Sequence, residues 1–225
     1  MRAELRFIRP RTPDSGAEPP DRPIPPPDSG DFLLGVGPAG EDGMDLGRVS
    51  LATPAALDRW RCPPGGFRGV TVPAFEPEAI AEALREHISA AVGETWPEVV
   101  GLLRPTVRFA ARVRARGAIL IVTPLDPDPT SDFAHLLRDA LYGLAASGAG
   151  LDVVLNLSEF DRSMSALLGI FINFRKRILQ ASGDLRLCHV PAAFLATFRQ
   201  TGLDAHFRID PDEATAIQRI RERAR

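Results

Sequence analysis

The second half of the sequence predicts a layered α/β fold, because segments typical of strands alternate with segments typical of helices from about residue 106 onward. Three short runs rich in Val, Ile and Leu are typical of buried strands: AILIVTPL, LDVVLNL and LRLCHV. Amphipathic stretches separate these runs and follow the last of them. We therefore expect residues 106–225 to form a mixed β-sheet flanked by helices.

Each element of this half has its own local signal. TVRFAARV precedes AILIVTPL as a further strand. Ser131–Ala146 is predicted as a helix because Ser131 or Thr130 is a good N-cap and apolar residues repeat at helical spacing. The strand LDVVLNL leads into a helix over Ser165–Ala181, and LRLCHV leads into the helix PAAFLATFRQTG. The short strand HFRI then precedes a final helix, DPDEATAIQRIRER, with Asp210 as its expected N-cap.

The first part of the chain divides in two. Residues 1–30 are expected to form a disordered, Pro-rich tail, because the segment after Ile8 is nearly empty of large apolar residues and cannot offset its chain entropy. Residues 31–105 form an N-terminal region whose overall fold the sequence does not define. Two helices are expected there, about 77–92 and Trp96–Leu103. The apolar face of the longer one consists of Ile80, Leu84, Ile88 and Val92.

Composition excludes several classes of protein. The net charge of −2 is not the basic excess of a nucleic-acid-binding protein. No run approaches the roughly 20 apolar residues that span a bilayer, so direct membrane insertion is not expected. The N-terminus MRAELRFIRPR lacks the apolar core of a signal peptide. We therefore expect a cytoplasmic protein.

No motif in the sequence indicates catalysis. GVGPAG, Gly35–Gly40, fits the glycine pattern of dinucleotide sites, but Pro38 interrupts the turn and the preceding FLL is short for a strand, so a Gly-rich loop is favoured. Cys62 and Cys188 have no metal-type spacing and are expected to be reduced thiols. Cys188 and His189 are neighbours on a predicted strand and point to opposite faces. No catalytic residue, cofactor site or metal site is expected, and the protein is not expected to be an enzyme.

Three blocks of the second half resemble the STAS domain, a module of sulfate transporters and bacterial anti-sigma factor antagonists. Members of that family read like LDLSGVxFIDSSGLGxLLxLRKRL, GGxLRLxNV and LxxTGLDxLFxI. This chain has LNLSEFDRSMSALLGIFINFRKRI, SGDLRLCHV and FRQTGLDAHFRI, each aligned without a gap. The resemblance implies a STAS-like domain over residues 106–225 and says nothing about the first hundred residues.

The loop before the predicted Ser165 helix departs from the family pattern. Asn156 replaces an Asp at the strand end, and Met164 stands where the family has its loop Asp. Ser165 matches the first serine of the family pair, whereas Ala166 stands at the second, the phosphoacceptor of the anti-sigma factor antagonists. A methyl group has no oxygen to accept a phosphoryl group, so the resemblance implies a domain that is not phosphorylated at this position. A slip of one residue would instead make Ser165 the acceptor, and a plain N-cap role for Ser163 or Ser165 fits either register.

Two apolar faces are predicted on this helix, where a surface helix usually has one. Leu168, Phe171, Ile172 and Leu179 match the core leucines of the family. The second face consists of Leu167, Ile170, Phe174 and Ile178. Either the N-terminal region or a partner is expected to cover that face. The alternative is a larger core within the same fold.

The function that the resemblance implies is that of a non-catalytic regulatory or scaffold protein. Its partner would be an anti-sigma factor of the ATP-binding serine kinase type, or another STAS protein, and a homo-oligomer stays open. Two alternatives remain: an accessory subunit of a transport or membrane-associated complex, and an enzyme that uses GVGPAG. The residues expected to bind the partner are Ser163, Met164, Ser165, Ala166, Leu167, Ile170 and Phe174.

Overall fold

The computed structural model of the chain describes residues 1–10, 28–63, 66–125, 133–159 and 165–223, apart from the side chains of residues 165 and 166. The chain divides into two compact units, Met1–Phe109 and Ala110–Arg225. Each unit is described by itself below.

The first unit contains an antiparallel sheet. β2 pairs with both β1 and β3, and a short β4 pairs in parallel with the end of β3. The two long strands β2 and β3 are buried over most of their length, and Leu34, Val36 and Val49 have no exposed surface. The bounds are Ala3–Pro10 for β1, Ser29–Pro38 for β2, Met44–Ala52 for β3 and Val70–Thr71 for β4.

The expectation of a loop at GVGPAG is wrong. Gly35–Pro38 continues β2, and the chain then turns back into β3. A Cβ atom on Gly35 would lie 2.6 Å from the ring of Phe7, and one on Gly37 would lie 2.3 Å from the carbonyl oxygen of Gly43. These glycines therefore permit close packing of strand and turn, which is a structural reason for the motif.

The expected disordered tail over residues 1–30 needs correction at both ends. Ala3–Pro10 forms β1, and Ser29 and Gly30 begin β2. Pairing between residues about thirty positions apart supplies the hydrogen bonds of β1, as in Leu5 opposite Val36, and no local pattern encodes such pairing. The middle of the segment, residues 11–27, lies outside the described residues.

The described residues of the first unit also form three helices: α1 (Pro54–Arg59), α2 (Pro77–Ser89) and α3 (Trp96–Leu103). α2 lies where the helix about 77–92 is expected, with Ile80, Leu84 and Ile88 buried. It ends before Val92, which is 58% exposed. α3 has the expected bounds and begins with a capping box formed by Thr95 and Glu98.

The second unit has a mixed sheet in the order β5-β6-β7-β8-β9, which confirms the predicted fold class. β5 and β6 form an antiparallel hairpin, and the pairs from β6 to β9 are parallel. The strands are Val107–Arg116 (β5, whose first residues belong to the first unit), Ile119–Pro124 (β6), Asp152–Asn156 (β7), Asp184–Cys188 (β8) and Arg208–Asp210 (β9). The helices are Phe133–Ala145 (α4), Ser165–Gln180 (α5), Ala192–Gln200 (α6) and Glu213–Arg223 (α7), with a 3₁₀ turn at Leu203–Ala205.

The helices of this unit pack against the sheet and against each other. α5 contacts α4 and β8, and α7 contacts β7, β8 and β9. Val153, Val154 and Leu155 of β7 have no exposed surface, as expected for a central strand that is covered on both faces. One buried cluster joins β6, β7, β8 and α7, with Ile217 packed against it. Its members are Ile119, Ile121, Val154, Cys188, Ala216 and Ile220.

Candidate functional site

The candidate site begins where β7 leaves the sheet. The amide of Leu157 donates a hydrogen bond of 3.0 Å to the carbonyl of Cys188, so the chain remains attached to β8 just beyond the strand end. It is described again from residue 165, the first residue of α5. Ser163 and Met164 lie outside the described residues, and of Ser165 and Ala166 only the position in the first turn of α5 is described. The sequence prediction for these four residues therefore stays a prediction.

Asn156 fixes the base of this loop. Its side-chain amide donates to Glu213 at the start of α7, at 2.9 Å, and its side-chain oxygen accepts from the backbone amide of Ser158 at 3.0 Å. Arg114 of β5 donates to the same Glu213 oxygen at 3.1 Å. A carboxylate at position 156 would face that of Glu213, whereas an amide can donate to it. Glu213 on α7 therefore favours an amide at position 156, where the family pattern has an Asp.

Three α5 residues that were predicted to bind a partner are buried in the core instead. Leu167 and Phe174 have no exposed surface, and Ile170 is 8% exposed. Phe171 and Ile178, on the adjoining side of the helix, are also fully buried. The interpretation that Leu167, Ile170 and Phe174 present an uncovered apolar face is therefore corrected. α5 packs against both α4 and β8, so it needs a wider apolar face than a helix that contacts one neighbour.

The side of α5 that reaches solvent differs from the predicted one. Ile172 is 40% exposed and Leu179 is 38% exposed, although both were expected in the core. Gly169 and Asn173 lie one turn apart beside Ile172 and are exposed. The Asn173 amide donates to the Gly169 carbonyl at 3.0 Å, and a Cβ on Gly169 would meet no atom within 4 Å. The result is an open, uncharged stripe, which we call the α5 stripe (Gly169, Ile172 and Asn173).

A row of phenylalanine rings connects α5 with α6 and with the residue before β9. The ring centroid of Phe171 lies 6.2 Å from that of Phe194 on α6, which lies 6.0 Å from that of Phe198. Phe198 stacks on Phe207 at 5.2 Å, just before β9. Arg175 of α5 lies over the Phe207 ring at 6.0 Å. Contacts of this kind stabilise a core beyond their buried area, and here they connect α5 with α6 and with Phe207.

Charged side chains also connect β8, the end of β9 and α7, at the end of the sheet where Asn156 lies. Asp210 does not cap α7 as the sequence predicted. It is buried and accepts from Arg186 of β8 at 2.9 Å and from Arg219 of α7. Burial alone would raise the pKa of Asp210, but the hydrogen bonds and charges of the two guanidinium groups lower it below its ordinary value of 3.8. Asp212 accepts from the amide of Thr215 at 2.7 Å and so fills the capping role.

The remaining polar candidates do not form a site. Burial raises the pKa of the Cys188 thiol to about 12, so this cysteine is an inert core residue at neutral pH. His189 follows β8 with a φ of 51° and is exposed, so the two neighbours are not both on the strand as predicted. Over the part of the chain that the structure describes, no three His, Cys, Asp or Glu residues lie close enough together to hold a metal ion. In the same part, no helix has the length and apolarity needed to cross a membrane.

The comparisons with known proteins bear on the second unit. The family model described as "Mlab, STAS domain" matches residues 124–210. Among solved structures, an anti-sigma-factor antagonist (STAS) domain protein of Planctomyces limnophilus has 14% sequence identity and a TM-score of 0.44, covering 49% of this chain and 97% of that one. A candidate anti-sigma factor antagonist of Thermotoga maritima has 21% identity and a TM-score of 0.44, covering 48% of this chain and 92% of that one. No curated protein matches the chain significantly. Residues 124–210, from the end of β6 to β9, are those of a STAS domain.

Proposed function

We propose that the chain is a non-catalytic regulatory or scaffold protein whose STAS domain binds a protein partner through the α5 stripe and the loop that precedes it. The single observation that carries this proposal is the position of the stripe. Gly169, Ile172 and Asn173 are exposed on the helix that follows the loop at which STAS proteins of the anti-sigma antagonist type meet their partners. The loop residues Ser163–Ala166 belong to the proposed surface because of their place in the sequence.

The chemistry of the stripe favours a protein partner. Ile172 offers an apolar side chain that is already 40% exposed, and its burial against a partner removes apolar surface from water. The Asn173 amide already donates to the Gly169 carbonyl. A partner that covers Asn173 therefore leaves fewer polar groups without a hydrogen bond. Gly169 leaves open space into which a partner's side chain can reach. Lys176, exposed one turn after Ile172, adds a positive charge at the rim that suits an acidic neighbour.

The buried residues Leu167, Ile170 and Phe174 have a different role in this proposal. They hold α5 against the core, so they determine where the stripe lies without touching the partner. We infer that partner contacts move to the neighbouring exposed positions on the same helix.

The partner interaction that we propose is not switched by phosphorylation at position 166. Ala166 has no oxygen nucleophile, so the charge of about −1.5 to −2 that a phosphoserine adds to the start of a helix cannot arise there. By sequence resemblance, the partner is an anti-sigma factor of the serine kinase type. Its binding is then constitutive, or it is controlled elsewhere in the chain.

The proposal is tested with two matched variants of α5. Ile172→Asp places a charge in the stripe, whereas Leu179→Asp places one at a residue that is about equally exposed, two turns away. Partners captured by the wild-type protein from native cells are purified, and their Kd for each variant is measured by calorimetry. Ile172→Asp is expected to raise the Kd for the partner by about tenfold or more. Leu179→Asp is expected to raise it by about twofold at most.

Two outcomes would count against the proposal. Equal affinity of wild type and Ile172→Asp for the purified partner would remove the stripe from the interface. Recovery of a transport ATPase subunit whose binding depends on Ile172 would keep the surface but favour the accessory-subunit alternative. Ala166→Asp provides a second test, since a charge at the first turn of α5 is expected to weaken a partner that binds there.

A further inference from the structure

A cleft lies between the end of β5 and α7. Its volume is about 620 Å³, within the range of small-molecule sites, which runs from roughly 300 to 1,000 Å³. Arg116 lies at the tip of the β5–β6 hairpin, opposite Ile119. The α7 residues of the cleft recur at helical spacing and so share one side of that helix. The lining residues are Arg116, Ala214, Ile217, Gln218, Arg221 and Glu222.

The two arginines of the cleft differ from their neighbours. Arg114, two residues before Arg116 on β5, pairs with Glu213 at 3.1 Å, and Arg223 on α7 pairs with Asp184 at 3.3 Å. Arg116 and Arg221 have no acid or hydrogen-bond acceptor as partner among the residues that the structure describes. Their guanidinium groups therefore add positive charge to the cleft without a matching acid.

The one acid in the lining does not neutralise this charge fully. Glu222 accepts a hydrogen bond of 2.8 Å from the side-chain amide of Gln218, one turn earlier on α7. Two guanidinium groups therefore face one carboxylate that is already engaged. A guanidinium group binds a carboxylate or phosphate with two parallel hydrogen bonds, which favours an oxyanion as the ligand.

The floor of the cleft is apolar. Ile217 is half-buried and packs against the core cluster that includes Ile121, Val154 and Ile220. Ala214 adds a second small apolar surface one turn earlier. A concave site with an apolar floor and a few convergent polar groups is the usual form of a small-ligand site.

We propose that this cleft binds a small organic anion, with its carboxylate or phosphate between Arg116 and Arg221 and its apolar body against Ile217 and Ala214. The site is independent of the partner surface proposed above. It would give the domain a ligand-binding function on α7.

The experiment titrates the full chain, labelled with ¹⁵N, with four probes while amide shifts are recorded. The probes are phenyl phosphate, benzoate, inorganic phosphate and benzyl alcohol. Phenyl phosphate and benzoate separate the two head groups, and the other two isolate the charge from the apolar body. We expect saturable shifts at residues 116–119 and 214–222 with one or both aromatic anions, and weaker binding of inorganic phosphate and of benzyl alcohol.

Variants with equal charge changes decide whether the cleft is the site. The double variant Arg116→Gln, Arg221→Gln is expected to lower the affinity for the aromatic anion by about tenfold or more, since it removes both charge-assisted contacts. The control Arg85→Gln, Arg199→Gln removes the same charge from exposed arginines elsewhere and is expected to change affinity by about twofold at most. Absence of saturable shifts, equal losses in the two double variants, or benzyl alcohol binding as tightly as phenyl phosphate would each overturn the proposal.

Discussion

The second unit fixes α5 and α7 by different physical means. α5 is attached by apolar burial along most of its length, whereas α7 buries only Ala216 and Ile220. α7 also makes three ion pairs: Glu213 with Arg114, Arg219 with Asp210, and Arg223 with Asp184. The buried apolar residues of α5 are Leu167, Leu168, Ile170, Phe171, Phe174 and Ile178.

The difference has consequences for what each helix can do. Apolar burial is non-directional and insensitive to pH, so α5 can present a polar or apolar outer side without changing its own attachment. Ion pairs are directional, and they set where the start of α7 lies, which is what brings Glu213 to Asn156. The core under the proposed partner surface is thus apolar, while the base of its loop depends on charged groups.

The largest effect is expected from Leu167→Asp, which tests the apolar side of this comparison. Leu167 has no exposed surface, so the variant buries a carboxylate with no partner. We expect a loss of about 4 kcal/mol or more in the free energy of unfolding, or no cooperative transition at all. Urea unfolding followed by circular dichroism measures it, with Leu179→Asp as the control. A melting temperature close to that of the wild type would mean that Leu167 lies on the surface after all.

The second prediction tests the charged side. Asp210→Asn leaves Arg186 buried without its carboxylate, and a loss of about 3 kcal/mol is expected at pH 7. The pKa of Asp210 is lowered in the folded state, so its contribution is present above the ordinary value of 3.8 and is lost as pH falls through the folded value. The gap between wild type and variant should therefore narrow below about pH 4.

Urea unfolding at a series of pH values measures that gap. Asp204→Asn, at an exposed position, is the matched control and should show little change at any pH. A gap between wild type and Asp210→Asn that stays constant down to acid unfolding would show that the ion pairs of Asp210 are not what holds α7.

In the second unit, the sequence predicted where helices and strands lie better than it predicted which of their side chains are buried. Apolar runs and caps are local signals, and they place β6, β7, β8 and α5 within a few residues. Which side of α5 is buried depends on how many helices and strands pack against it. The sequence has two apolar faces on this helix, and it does not show which of them is buried. Ile172 was thus expected in the core and Leu167 outside it, the reverse of what the structure has.

Long-range pairing explains the other differences. β1 and the hairpin at GVGPAG depend on contacts between distant residues, such as Phe7 with Gly35, and local composition suggested a tail and a loop there. The capping of α7 by Asp212 and not by Asp210 has the same origin. Both are acids near a helix start, and only the position of Arg186 on β8 distinguishes them.

The third prediction concerns the hydrogen bond between Asn156, at the end of β7, and Glu213, at the start of α7. Asn156→Asp would replace an amide donor by a carboxylate that faces Glu213, where the two groups are now 2.9 Å apart. A loss of about 2 kcal/mol in the free energy of unfolding is expected, together with faster hydrogen exchange at the backbone amides beyond β7. The second change, Glu213→Gln, removes the repulsion and should recover part of the loss. Additive effects of the two substitutions would contradict a direct contact.

The smallest effect on stability is expected from Ile172→Asp, and it separates the two sides of α5 within a single turn. Ile172 directly follows Phe171 in sequence, yet it is 40% exposed whereas Phe171 is fully buried. An exposed charge costs little, so Ile172→Asp should change the free energy of unfolding by about 0.5 kcal/mol at most, as should Leu179→Asp. Phe171→Ala, which leaves a cavity next to Phe194, should cost about 3 kcal/mol or more. Calorimetric melting of the three variants measures these differences. If Ile172→Asp destabilised the protein as much as Phe171→Ala, α5 would be covered on both sides, and the stripe would not be free to meet a partner.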